Sequence, residues 1–72
     1  MRKMREEHFL ELNPGYNIEY YRLLRDAKIW NSQGQYWLGR EAERRANSLL
    51  RGDIKEYERV THSEELYFKK YN

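Results

Sequence analysis

The stretch 16-YNIEYYRLLRDAKIWNSQGQYWLGREAERRANSLLR-51 decides the fold. Tyr16, Tyr20, Leu23, Leu24, Ala27 and Trp30 recur at steps of three and four, which aligns them on one face of a helix. Glu19, Arg22 and Asp26 fall on the opposite, polar side, where Arg22 and Asp26 are one turn apart and suited to a weak pair. Asn31 to Gln35 interrupts the pattern. Ser32 and Gln35 have the spacing of a capping box, which predicts a new helix from about Gln33. Its inner face is Leu38, Ala42, Ala46, Leu49 and Leu50, and Gly52 stops it. Ala42 and Ala46 are small enough to let another helix come close, and Gly39 marks a close backbone contact. The expectation is a helical hairpin, about 16–31 and 33–51, with the two ends of the chain packed against it.

Outward from the hairpin, Met4, His8 or Phe9, and Leu12 recur at helical spacing, which predicts a first helix over 2–12. Pro14 ends it, because proline disfavours helix in the residue before it. Asn13 is suited to cap the next helix with Pro14 at its first position. Downstream, Asp53 with Glu56 makes a second capping box, leading into Ile54, Tyr57 and Val60. Thr61 with Glu64 makes a third, so residues 53–71 read either as one helix or as two, with Glu65 and Lys69 suited to pair within the last turns. No segment alternates as a strand. The predicted fold class is all-α: one domain over 1–72, a small bundle of three to four helices built around the central hairpin.

Seventy-two residues bury only a small core, and such cores lean on staples or partners. The chain has no cysteine, which excludes disulfides and thiolate metal sites. Charged residues make up 36% of it, yet aromatics reach 15%, and disordered chains are poor in aromatics. No apolar run approaches the ~20 residues that span a bilayer, and the basic N-terminus lacks the apolar core of a signal peptide. The expectations are therefore no membrane association and a cytoplasmic location.

The hairpin is similar in part to a single tetratricopeptide repeat, through Ala27, Gly34, Tyr36 and Ala46. Gly39 stands where that repeat usually has alanine, Glu43 where it has an aromatic, and no proline closes the unit. The likeness implies a helix-turn-helix hairpin and nothing further. Tyr20-Tyr21-Arg22-Leu23-Leu24-Arg25 also resembles the opening of the Leu-Tyr-Arg family of mitochondrial accessory proteins, with Tyr20 in place of the leading leucine. Neither likeness extends far enough to assign a family.

Catalytic chemistry finds no support in the residues. There is no Ser/His/Asp or Cys/His set, no phosphate-binding glycine loop and no metal-ligand spacing. The carboxylate pairs Glu6/Glu7 and Glu64/Glu65 are sequence neighbours and diverge on a helix. No enzyme activity, cofactor or small-molecule substrate is expected. The net charge of +2 is modest, but its excess is concentrated at 32–52, with Arg40, Arg44, Arg45 and Arg51 against Glu41 and Glu43. Arg40, Arg44, Asn47 and Arg51 form one stripe, set away from Leu38, Ala42 and Leu49. Arginine forks bind carboxylate or phosphate in two-pronged fashion. Tyr21, Arg25 and Trp37 lie off the core stripes and complete the candidate partner-binding set, since tyrosine, tryptophan and arginine are favoured at interface hot spots. The expected function is a small protein-interaction module that regulates, inhibits or assists a partner protein or a second copy of itself. The alternative is a nucleic-acid-binding protein using the basic face of the 33–51 helix.

Overall fold

A computed structural model describes the backbone of residues 9–71 and the side chains of residues 9–70. The described residues are all-α, as the periodicities require. A helical turn at 9–12 (α1) leads into α2 (Pro14–Ser32), α3 (Tyr36–Arg51) and α4 (Ile54–Tyr71). Most of the predicted first helix, and His8 with it, lies outside the described residues.

α3 is the central element. Its α2 side and its α4 side are both packed, whereas the α2 and α4 backbones do not meet. The core is Leu10 of α1, Leu23 and Ala27 of α2, and Ala42, Ala46 and Leu49 of α3. Phe9, Tyr16, Tyr20, Leu24, Leu50, Ile54 and Tyr57 pack around it, half-buried. The two predicted stripes therefore do face each other. Ala42 and Ala46 allow the close approach, and Gly39 extends it: a Cβ there would stand 2.7 Å from Cγ of Asn31, inside any real contact. A side chain at Gly39 would have to displace the Asn31 amide that packs against it.

Gly52 stops α3 as the sequence predicts, but the other connections are built differently from the expectation. Both α2 and α3 end on a glycine in the left-handed region, Gly34 at φ 79° and Gly52 at φ 76°. In each case the next N–H reaches back over the turn, Gln35 to the Trp30 carbonyl at 2.9 Å and Asp53 to the Ser48 carbonyl at 2.8 Å. That is the glycine-stopped closure common at helix C-termini. The Ser32–Gln35 capping box is therefore absent. Ser32 is the last residue of α2 and donates to the Ile29 carbonyl at 2.8 Å. Gln35 precedes α3 without a side-chain cap bond, and α3 begins at Tyr36 rather than Gln33.

Asn13 also acts backwards. Its Nδ2 donates to the Phe9 carbonyl at 2.8 Å, closing α1, while Pro14 supplies the first residue of α2 as expected. The Asp53–Glu56 box forms by half: Asp53 Oδ1 accepts from the Glu56 N–H at 3.2 Å, but the Glu56 carboxylate turns to Arg59. The third box does not form. Thr61 Oγ1 donates to the Tyr57 carbonyl at 2.8 Å, the bond of a mid-helix threonine, and α4 runs unbroken. His62 is exposed in the middle of α4.

Candidate interaction surface

Two groups of polar side chains organise the outside of this bundle, one turned inward and one outward. The inward group centres on Arg45. Its Nη1 donates to Glu64 of α4 at 2.8 Å and its Nη2 to Glu19 of α2 at 3.4 Å. The Tyr57 hydroxyl donates to the same Glu19 oxygen at 3.2 Å, and the Arg45 guanidinium lies 5.3 Å from the centre of the Tyr57 ring. The side chains of Arg45 and Glu64 keep only 14% and 13% of their exposure. Burial pushes the Glu64 carboxyl up from its ordinary value; Arg45 opposes that shift without cancelling it, and Glu41 and Asp26 add to it. Arg45 Nε, also buried, has no hydrogen-bond partner among the described residues.

Beside this cluster, Arg44 sits 3.4 Å from the buried Glu41 and 3.3 Å from Glu56. Glu56 is held below its ordinary value first by the hydrogen bond from Arg59, whose own pKa is raised in return. Arg44 thus bridges two acids of its own chain and is a poor candidate for a partner. The pairs read from sequence rearrange in the same way. Arg22 pairs with Glu19 at 3.1 Å rather than with Asp26, and Glu65 lies 3.9 Å from His62.

The remaining candidates do face solvent. Arg40, Asn47 and Arg51 are exposed along α3, and among the described residues Arg40 and Arg51 make no side-chain hydrogen bond or ion pair. Tyr21 is exposed on α2, its ring 5.1 Å from that of Tyr20. Arg25 is exposed one residue from its loose partner Asp26, 3.7 Å away. Trp37 stands apart from these: it stacks on Tyr67 of α4 with centroids 4.7 Å apart and remains 41% exposed. Tyr67 in turn meets Phe68, whose ring reaches Trp30 of α2 at 6.2 Å. The set therefore divides: Tyr21 and Arg25 lie on α2, Arg40, Asn47 and Arg51 on α3, and Trp37 in an aromatic cluster at the far end of the bundle.

Two features escape the sequence reading. Arg45 follows Ala42 by three and precedes Leu49 by four, so its spacing already placed it in the packed face rather than the outer stripe. Ile18 and Ile29 break the stripe of α2 and so drop out of a search for periodic apolar positions. They are 72% and 46% exposed, on the same solvent arc as Tyr21 and Arg25.

Among the described residues, no group of side chains has the makings of a metal site, and no helix is long and apolar enough to cross a membrane. No family model, curated protein or solved structure matches this chain.

Proposed function

We propose that this protein is a non-enzymatic interaction module that binds a partner protein through the solvent face of α2, with Arg40, Asn47 and Arg51 of α3 at its flank. The observation that carries this reading is that α2 is apolar on two sides. Leu23 and Ala27 are buried in the core, while Ile18, Tyr21 and Ile29 face solvent. A solvent arc on which large apolar side chains are interleaved with arginine has the composition favoured at docking surfaces, and isoleucine costs more to leave in water than the polar residues usual at such positions. The groups with displaced pKa values, Glu56, Arg59 and Glu64, are all engaged in the chain's own ion pairs, which supports structural rather than catalytic roles for them.

The test is capture from lysate of the native host. Wild-type protein retains a defined partner, and the double variant Ile18→Asp, Ile29→Asp loses it with helical circular dichroism unchanged. Retention of the same partner by the variant, or no partner at all, would overturn the reading.

A second reading, nucleic-acid binding, draws on the exposed cations Lys28, Arg40 and Arg51, none of which has an ion pair among the described residues. It predicts duplex binding that weakens steeply with salt, through release of condensed counterions. Changing Arg40 and Arg51 to glutamine abolishes that binding; absence of binding at low salt rules it out.

A further inference from the structure

We propose that the occupant of the α2 face is an acidic amphipathic helix of a partner protein; this rests on the interaction reading above and assigns the partner its chemistry. The solvent arc of α2 comprises Ile18, Tyr21, Arg22, Arg25, Lys28 and Ile29, all exposed. It carries three cations and no acid. Glu19 reaches Arg45 and Tyr57 and also pairs with Arg22 at 3.1 Å, and Asp26, its side chain 38% exposed, sits 3.7 Å from Arg25, so Lys28 is the one cation of the arc with no acid beside it among the described residues. The pairs that Arg22 and Arg25 make at the edge of this arc leave both side chains more than half exposed, so the pairs are open to competition from a partner's acids.

An apolar line with cations interleaved matches a helix whose apolar stripe is bordered by glutamate or aspartate. A second copy of this chain fits poorly, because a two-fold contact on this arc sets three cations against three. A nucleic-acid backbone would satisfy the cations and leave Ile18 and Ile29 without a counterpart. Tyr21 also forms one wall of a depression of about 420 Å³ between α1, α2 and α3, lined by Leu10, Glu11, Asn17, Tyr20 and Leu50. Leu10, Tyr20 and Leu50 give it an apolar side, and it accepts one bulky side chain from the docked helix, the usual form of a hot-spot anchor. Glu11 lies on its rim, exposed and with a contact of its own, so the docked helix places its apolar side chain, not its glutamates, over this depression.

The experiment titrates the full chain with a synthetic helical peptide bearing a leucine stripe, one phenylalanine and flanking glutamates. The expected result is saturable binding with amide shifts confined to α2 and to residues around Leu10 and Leu50. Tyr21→Ala and Arg25→Glu each weaken it by about tenfold or more, with the circular dichroism unchanged. The same peptide with lysine in place of glutamate does not bind. The proposal is overturned if the acidic peptide fails to bind, if both peptides bind equally, or if the shifts map to other helices. It is overturned equally if a DNA duplex, phosphatidylserine vesicles or a second copy of the chain occupies the same residues more tightly. Failure of the acidic peptide while a host partner is still lost on changing Ile18 and Ile29 would leave the interaction module standing and remove only this partner chemistry.

Discussion

At the scale of single residues, Glu64 illustrates how burial and pairing compete. Its carboxylate is 2.8 Å from Arg45, which favours the ionised form, yet burial prevails and holds its pKa above the ordinary 4.5. The folded chain therefore binds this proton more tightly than the unfolded chain does. The stability tied to Glu64 is fully present below the ordinary carboxyl range and is lost as pH rises through the raised folded value. Glu56 has the opposite sign. Its pKa is lowered, so its contribution is present above the ordinary range and lost as pH falls. Both effects operate in the whole protein, but comparison with Glu64→Gln isolates the first, since Glu56 is common to both chains. The stability of wild type relative to the Glu64→Gln variant should rise as pH is lowered from about 7 toward about 4, measured by urea unfolding at each pH. A relative stability that falls over that window would mean that the Arg45 pair, not burial, governs this carboxyl.

At the scale of elements, the helices were legible, as were Pro14 opening α2 and Gly52 closing α3, but the side-chain caps were not. Apolar spacing located α2 and α3 because burial imposes its period on a whole helix, and a slip of one residue is averaged away. Caps depend on single side chains with several acceptors within reach. Ser32 had a carbonyl of its own helix available, Asn13 had the end of α1, and Glu56 had Arg59; each took the nearer partner. What did govern the junctions was backbone conformation, and there the glycines were informative. Gly52 holds φ 76°, and a Cβ on it would meet the Phe9 ring at 3.2 and 3.3 Å. Gly52→Ala should cost about 2 kcal/mol, the left-handed penalty of ~1–2 kcal/mol with the ring contact added. Gly15 provides the contrast, since it lies in the first turn of α2 with nothing near its Cβ position. Gly15→Ala should stabilise by about 0.5 kcal/mol. Thermal or urea unfolding of the two variants reads both numbers, and equal effects would show that the turn at Gly52 tolerates rearrangement.

At the scale of the whole molecule, the question is what fastens α4. The core cluster is assembled from α1, α2 and α3; α4 brings to it only the half-buried Ile54 and Tyr57, and among the described residues Val60 is its one fully buried apolar side chain. The α2 and α4 backbones do not meet, so their connection runs through side chains: Glu19 and Tyr57, Trp30 and Phe68, and above all Arg45, which holds both Glu19 and Glu64. None of these long-range links could be read from sequence, because a period says which face is buried and not which distant acid waits there. Removing Arg45 leaves Glu19 and Glu64 mostly buried with their shared cation gone. Breaking such a pair costs about 3 kcal/mol, the lower end of the usual range because the edges of the cluster still reach water. The loss should also be uneven. Native-state hydrogen exchange of Arg45→Ala should show α4 opening at much lower free energy than α2 and α3, whose amides rest on the apolar core. Replacing Arg45, Glu19 and Glu64 together by methionine, glutamine and glutamine should recover much of the stability, since a neutral cluster leaves no charge stranded. Uniform loss of protection across all three helices would instead make Arg45 part of one cooperative core, and α4 as firmly seated as the hairpin it covers.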